Sequence, residues 1–211
     1  VMGYTRINFD MIPLALYQII FDKLYQFIDT KLLSNNDTID EFLSIICKQL
    51  NVNDIILEKI YDTSIHGYSA KSFHDNCDGI SPTLCIIKNE YNYIFGGYTK
   101  IPWSSSDEEW KRDDSAFLYG IEPKLFISKI RKKQASFAVY HDTRDGICFG
   151  GGRDIAIFNK CNLRRRNWCR ISSYKWMDGL PFAVSYQERN KQYNFKVKDY
   201  EVFKITTNYS T

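Results

Sequence analysis

The stretch that decides the fold class is TLCIIKNEYNYIFGGYT, which spans residues 83–99. Its first part, Thr83–Lys88, is a continuous apolar run that is typical of a buried strand. The polar residues 89–92 then predict a turn, and the aromatic run Tyr93–Thr99 predicts a strand that returns beside the first. The stretch therefore predicts an antiparallel β-hairpin.

Further short strands are predicted after this hairpin, with glycines and polar turns between them. Tyrosine and phenylalanine supply most of the aromatic residues, which favours sheets. Many short strands separated by turns favour a sandwich over alternating β-α-β units. We predict an α+β, mainly β fold: a two-sheet antiparallel sandwich with a few helices, preceded by a small helical segment. The further strands are expected at Ala116–Ile121, Phe137–Tyr140, Ile147–Phe158 (interrupted by Gly150-Gly151-Gly152), Phe182–Tyr186 and Tyr200–Ile205.

The amino-terminal quarter has the periodicity of helices. Apolar residues recur every three or four positions from Leu14 to Leu32, and again from Phe42 to Leu50. Between these stripes, Thr38-Ile39-Asp40-Glu41 has the pattern of a capping box, in which a hydroxyl and a carboxylate bind free amides at a helix start. Residues 11–50 are therefore predicted to form two helices that pack on each other or on the sandwich. Asp54–Tyr61 is expected to be a third short helical or irregular piece.

Glycines and turn signals become frequent after Tyr61. Ser69 is placed to cap a short helix at Ala70–Cys77, because a serine hydroxyl accepts a hydrogen bond from a free amide of the first turn. We divide the chain into a helical amino-terminal segment, residues 1–57, and a mainly β domain, residues 58–211.

Overall charge and the cysteine pattern narrow the class of protein. The formal net charge is only +3, whereas nucleic-acid-binding domains are usually strongly basic, so no nucleic-acid partner is expected. None of the six cysteines is spaced as CxxC and no signal peptide is recognised, which favours reduced thiols in the cytoplasm. The most apolar stretch, Ile12–Leu33, contains charged residues, so no transmembrane segment is expected.

Two groups of basic side chains stand out from this nearly balanced charge. One runs from Lys124 to Lys133 and the other from Lys160 to Arg170, with no acid inside either. Two interpretations remain open: solvated loops or sheet edges, or a surface for an acidic protein or an anionic membrane. On the second interpretation, the expected partner-binding residues are Lys129, Arg131, Lys132, Lys133, Arg164, Arg165 and Arg166.

The glycine run Phe149–Asp154 is not a phosphate-binding loop. Such a loop needs spaced glycines, a Lys-Ser or Lys-Thr pair and then a helix, whereas this run leads into the strand-like Ile155–Phe158. The run is better explained as a bulge or a tight approach between sheets. At Gly97 and Gly151 we expect either closely approaching backbones or a positive φ angle.

A catalytic constellation is not found in the sequence. The three histidines form none of the usual metal-binding pairs, and His74 with Cys77 supplies only two potential ligands on one helical face. The acidic run Asp107–Asp114 lacks the order of a calcium loop and is expected to be a solvated loop that Trp103 and Trp110 pin to the domain. We therefore expect no catalytic residue, no bound metal and no cofactor.

Six segments, taken in chain order, resemble the motifs of the TLDc domain family. The region they cover runs from Tyr61 to Ile205. The matching segments are Tyr61–Ser69, Phe73–Lys88, Ile94–Thr99 with Trp103, Ala116–Tyr119, Phe149–Ile157 and Asp199–Phe203. The resemblance marks as structural motif residues Gly67, Phe95, Gly96, Gly97, Trp103, Phe149, Gly150, Gly151, Gly152, Asp154 and Glu201. One departure is His66, which stands where the family usually has aspartate.

The resemblance implies a two-sheet sandwich and a link to oxidation-resistance proteins, several of which bind the vacuolar proton-pumping ATPase. It brings no agreed catalytic mechanism. We therefore expect a non-enzymatic protein-interaction module that docks on this pump or acts in oxidative-stress protection. Its expected place is the cytoplasm, near the cytosolic face of endolysosomal membranes as a peripheral protein. Two alternatives remain: a hydrolase or redox enzyme of unknown substrate, and a scaffold subunit in a larger assembly.

Overall fold

The structure is a computed structural model that describes residues 29–105, 108–175 and 193–207. Within these ranges, strands predominate and form two antiparallel six-stranded sheets, accompanied by a few helices. The predicted two-sheet antiparallel sandwich is confirmed.

The described elements follow one another along the chain as short strands with interspersed helices. The helices are α1 (Asn36–Leu50), α2 (Thr63–His66), α3 (Ala70–Cys77) and a 3-10 helix (Lys132–Phe137). The strands are β1 (Ile55–Asp62), β2 (Thr83–Asn89), β3 (Ile94–Thr99), β4 (Glu109–Lys111), β5 (Phe117–Glu122), β6 (Phe126–Lys129), β7 (Val139–His141), β8 (Asp145–Phe149), β9 (Ile155–Phe158), β10 (Asn167–Cys169), β11 (Tyr193–Phe195) and β12 (Val197–Thr207).

The predicted hairpin occupies the middle of the first sheet. This sheet has the order β1-β12-β2-β3-β5-β6, and the register of β2 with β3 runs from Thr83 opposite Thr99 to Lys88 opposite Ile94. The second sheet has the order β11-β10-β9-β8-β7-β4. Both edges of the hairpin pair with neighbouring strands, and its side chains are buried on both faces of the sheet, which explains why it is apolar throughout.

Two hydrophobic layers flank the first sheet. Successive side chains of a strand point to opposite faces, so Cys85 and Ile87 pack into the core between the two sheets. Leu84 and Ile86 pack on the outer face, where α1 covers them with the fully buried Phe42 and Ile46. The ring of Phe42 lies 4.9 Å from that of Tyr119 on β5. The first sheet is therefore buried on both faces, and α1 is part of its core.

Of the two helix caps predicted from the sequence, one is confirmed and one is wrong. The Ser69 side chain accepts a hydrogen bond from the amide of Ser72 and α3 begins at Ala70, as predicted. The capping box proposed at Thr38 is wrong, because α1 begins two residues earlier and is capped by the Asn35 side chain, which accepts from the amide of Asp37. Asparagine is as good a cap as threonine, and Thr38 lies inside the first turn.

The prediction for Asp54–Tyr61 is wrong, because most of this stretch is the edge strand β1. It pairs with β12 from Ile55 opposite Thr207 to Asp62 opposite Glu201. Four short strands (β4, β6, β10 and β11) were also missed. Each has only three or four residues, too few to show an alternating pattern, so their pairing is set by their neighbours.

Two predicted elements lie outside the described residues: the first amino-terminal helix up to residue 28, and the strand Phe182–Tyr186. The described end of that helical stripe, Leu32, is not helical and is buried with Leu33 in the layer under α1. No helix in the described ranges has the length and apolar character needed to span a bilayer.

Candidate partner-binding surface

The loop between β9 and β10 carries the second basic cluster and is held firmly at its base. The buried Asn167 donates from its side chain to the backbone oxygens of Cys161 and Phe195, at 2.7 and 3.0 Å, and accepts from the amide of Phe158. The amide of Lys160 donates to the oxygen of Tyr68, which ties the loop to the α2–α3 connection. These bonds hold the backbone at the base of the loop, from which the side chains at its tip extend.

Side chains at the tip of this loop are exposed but differ in their pairing. Arg165 makes an ion pair with Glu90, with Nε 2.8 Å from the carboxylate, and its guanidinium lies 5.6 Å from the centre of the Tyr91 ring. Arg164 and Arg166 have no acidic partner in the part of the chain that the structure describes. The structure thus brings the three predicted arginines together on one loop, and among the described residues only Arg165 has an acidic partner.

A cleft of about 390 Å³ opens beside the same loop. Its lining includes the half-buried Phe158, the buried Cys161 and the exposed Leu163, whose side chain is 60% exposed. Arg164 and Arg166 also line it. The cleft therefore combines an apolar interior with a cationic border. Sequence reasoning noted the charges but missed Leu163, because a single leucine in a polar loop carries no periodic signal.

The other predicted cluster lies at the opposite end of the first sheet. Lys129 pairs with Phe117 at the end of the edge strand β6, and exposed Arg131, Lys132 and Lys133 follow at the start of the 3-10 helix. Glu90, which holds Arg165, follows β2 at the other end of the strands. At about 3.4 Å per residue, the length of β3 puts the two ends roughly 17 Å apart. The two clusters are separate surfaces.

His74, Asp78 and Ser105 form a polar cluster whose order does not suit nucleophilic catalysis. The hydroxyl of Ser105 donates to the carboxylate of Asp78, and Nδ1 of His74 lies 2.7 Å from the other carboxylate oxygen. In a catalytic triad the histidine stands between hydroxyl and carboxylate, whereas here the carboxylate stands in the middle. Nε2 of His74 faces the backbone oxygens of Asp142 and Asp145. The cluster ties α3 to two loops.

The cysteines are not placed for thiolate chemistry. Five of the six are buried, and burial raises the pKa of the Cys77, Cys85 and Cys148 thiols well above their usual range. A nucleophilic or metal-binding cysteine needs a lowered pKa. Among the described residues, no three potential ligands are grouped to hold a metal ion.

An ionic network that sequence reasoning missed surrounds Glu201 on β12. This carboxylate is fully buried, lies 3.1 Å from Nζ of Lys59 and accepts from the hydroxyl of Thr30. Nζ of Lys31 binds Asp62 on β1 at 2.7 Å; although burial opposes ionisation, hydrogen bonds from Lys31 and Ser64 lower the pKa of Asp62 to about 2. The sequence signal for this network was Glu201 itself. A carboxylate within the largely apolar stretch 200–205 is expected to be buried, and a buried carboxylate must be paired.

Comparison with known proteins supplies the family. A family model described as the TLDc domain matches residues 27–206, which is most of the chain. The chain belongs to the TLDc domain family. The resemblance found in the motifs is therefore confirmed, and the matched region includes α1.

Among curated proteins, similarity to other TLDc relatives is local. The chain is 26% identical to the MTOR-associated protein MEAK7 of Danio rerio over 68 residues, which are 32% of this chain and 15% of that protein. It is 32% identical to the nuclear receptor coactivator 7 of Gallus gallus over 94 residues, 44% of this chain and 10% of that protein. The matched stretches thus cover at most 15% of these relatives.

The TLDc motif around Gly96 and Gly97 has packing that requires glycine. A Cβ on Gly96 would stand 1.7 Å from the backbone oxygen of Cys85, and one on Gly97 would stand 2.7 Å from the ring of Phe149. The expectation of a close backbone approach or a positive φ at Gly97 is wrong, because its close neighbour is a side chain; the close backbone approach is at Gly96. Close by, the buried Trp103 donates from its indole nitrogen to the Thr83 hydroxyl at 3.0 Å.

The second glycine motif of the TLDc domain forms the turn between β8 and β9. Gly150 has a φ of +84°, and a Cβ there would stand 2.0 Å from a carboxylate oxygen of Asp154. The buried Asp154 accepts hydrogen bonds from the amides of residues 172, 173 and 174. At Gly151, where a close backbone approach or a positive φ was expected, neither is found: the positive φ is at Gly150, and a Cβ on Gly151 would meet the Phe137 side chain at 2.9 Å.

The departure at His66 has a local explanation. Nδ1 of His66 accepts from the amide of Asp62 at 3.0 Å, and its ring stacks on Tyr61. His66 thus stabilises α2 in front of Gly67, which has a φ of +84°.

Proposed function

We propose that this TLDc chain is a non-enzymatic docking module that binds a larger protein assembly through its basic side chains. The vacuolar proton-pumping ATPase is the first candidate partner. The observation that carries the proposal is the pair Arg164 and Arg166, which is exposed and without an acidic partner in the described ranges, on a loop held by buried hydrogen bonds. Exposed guanidinium groups on a firmly held loop suit pairing with carboxylates of another protein.

Two further points support a protein as the partner of this chain. The TLDc family includes members that bind the pump, and the name of the relative MEAK7 states an association of that protein with MTOR. An individual exposed ion pair contributes only about 0–1 kcal/mol to a binding free energy. The arginines would therefore guide and orient the association, while apolar contacts would supply most of the affinity. The domain surface around the cleft offers both.

A pump-bound chain would work in the cytoplasm beside endolysosomal membranes, as a peripheral protein. Protection against oxidative stress is the second role that the family implies. We expect it to follow from docking rather than from thiol chemistry, because burial raises the pKa of the Cys77 and Cys148 thiols and leaves them poorly reactive.

The test is recovery of pump subunits on the tagged chain from native extracts at low ionic strength. Two charge-reversed variants, Arg164→Glu/Arg166→Glu and Lys132→Glu/Lys133→Glu, change the charge equally at the two ends of the sheet. At least one should recover less pump, with the larger loss at low salt, because screening weakens steering.

Failure to recover any pump subunit under these gentle conditions would remove the pump as the partner. A measurable turnover of a small substrate by the purified chain would overturn docking as its main function.

A further inference from the structure

We propose that the cleft beside Leu163 binds an acidic protein segment that inserts an apolar side chain between its carboxylates. This inference rests on the docking function proposed above and assigns the chemistry of the partner to one of the two basic clusters. The interior of the cleft, its border and its shape each support this partner.

The interior of the cleft has no unsatisfied polar side chain at its base. All hydrogen-bonding atoms of the Asn167 side chain are used, because its amide nitrogen donates to two backbone oxygens and its oxygen accepts from Phe158. The buried Cys161 and the half-buried Phe158 also line the cleft, together with the exposed Asn159, whose side-chain oxygen accepts from the amide of Ala70. Leu163 stands exposed at the entrance. An apolar side chain that enters would lie near Phe158, Cys161 and Leu163, so this part of the cleft favours an apolar side chain.

Basic side chains form the border of the cleft. Lys160, Arg164 and Arg166 line it, and none has an acidic partner in the described part of the chain. The neighbouring Arg165 already binds a carboxylate, because its Nε lies 2.8 Å from Glu90, beside the exposed Tyr91. An incoming segment with carboxylates on both sides of its apolar residue would repeat this contact at Arg164 and Arg166.

The concave shape favours a protein segment over a membrane. At about 390 Å³, the cleft lies near the lower end of the range for ligand sites, which is about 300–1,000 Å³. That volume suits one or two side chains. A bilayer surface binds basic residues together with apolar side chains that insert into it, whereas a recess of this size can enclose a side chain of a protein segment.

The experiment measures binding of a short fluorescent peptide to the full chain by anisotropy. The probe is a glutamate-rich peptide that carries leucine at helical spacing; a second peptide has serine in place of each leucine. The variants are Leu163→Ser, Arg164→Glu/Arg166→Glu and, as a control of equal charge change at the far end of the sheet, Lys132→Glu/Lys133→Glu. Circular dichroism verifies that each variant is folded. Leu163 and both arginines are exposed, so all variants should fold.

We expect the leucine peptide to bind the unmodified chain, and the arginine variant to bind it about tenfold more weakly. Leu163→Ser and the serine peptide should each weaken binding as well, whereas the lysine control should change it less than about twofold. Equal loss in the lysine control, or no binding of the leucine peptide, overturns the proposal. So does arginine-dependent binding to phosphatidylserine vesicles in the absence of peptide binding.

Failure of this inference is distinguishable from failure of the docking function. If pump recovery depends on Lys132 and Lys133 while the peptide does not bind, docking stands and the cleft proposal falls. If the peptide binds as expected while no pump subunit is recovered, the cleft proposal stands and the pump assignment falls.

Discussion

Gly97 on β3 faces the ring of Phe149 on β8, and a Cβ built on Gly97 would stand 2.7 Å from that ring. The two residues belong to different TLDc motifs and to facing sheets. Glycine at position 97 therefore makes room for a large aromatic ring in the middle of the sandwich. The two motifs are parts of one packing arrangement.

Replacing Gly97 by alanine should destabilise the fold by about 1–3 kcal/mol, because an extra methyl group must displace the Phe149 ring in a close-packed core. Urea denaturation of the variant and of the unmodified chain measures the change in the free energy of unfolding. The matched control is the same replacement in a Phe149→Leu background, where the neighbour is smaller and the added methyl group should cost less. An equal cost in both backgrounds would show that the contact with Phe149 is not the reason.

Phe42→Ala tests whether α1 is part of the TLDc core or a separable appendage. The ring is fully buried on the first sheet, so its loss should cost about 3–5 kcal/mol of unfolding free energy. Ile65→Ala, at a position that is 73% exposed, should leave stability nearly unchanged. The division of the chain at residue 57 stays a prediction; it gains support only if Phe42→Ala leaves the cooperative unfolding of the strands unaltered.

Asp154 offers a contrast between two replacements. One of its oxygens accepts from three backbone amides, and the other accepts from the Ser172 hydroxyl. Asp154→Asn keeps an oxygen for the amides and adds a donor that can bind the Ser172 hydroxyl, so it should cost less than about 1.5 kcal/mol. Asp154→Ala leaves buried amides unpaired and should cost more than about 3 kcal/mol. Thermal unfolding of both variants measures the difference in stability. Equal destabilisation by the two replacements would show that the hydrogen bonds of Asp154 to the three amides are not what stabilises the turn.

Long, strongly patterned elements were predictable from the sequence. The hairpin around Gly96 is marked by two apolar runs and a polar turn, and α3 by its serine cap, because both signals are local. β1 was mistaken for a helical or irregular piece, since its identity comes from pairing with β12, which lies far away in the chain.

The candidate site was predictable only in part, for the same reason. The charges of Arg164 and Arg166 are visible in the sequence, but whether a neighbour neutralises them depends on Glu90, which folding brings to Arg165 alone. The cleft is likewise a product of tertiary structure, because Phe158 and Asn167 reach it from different strands.

His141 on β7 is a buried titratable residue, and no hydrogen bond among the described residues offsets the loss of water from its ring. Neither ring nitrogen has a hydrogen-bond partner within the described residues, and its side chain packs beside Trp103 with ring centres 5.8 Å apart. Burial, with the nearby Lys111 and His74, lowers the pKa of His141 to about 4, against a smaller opposing effect of Asp78 and Glu109. The folded domain therefore holds this ring neutral.

His141 should make the domain acid-sensitive. Its pKa is 6.5 when unperturbed and about 4 in the fold, so below pH 6.5 the unfolded chain takes up a proton that the folded chain refuses. Its stabilising contribution is complete above pH 6.5 and falls as the pH drops towards 4, by up to about 2 kcal/mol on reaching pH 5. Asp145 and Glu201, whose pKa burial raises, act in the opposite direction in every variant. The His141→Phe variant should therefore lose less stability than the unmodified chain between about pH 7 and pH 5 in urea denaturation, and parallel losses would rule out His141 as the cause.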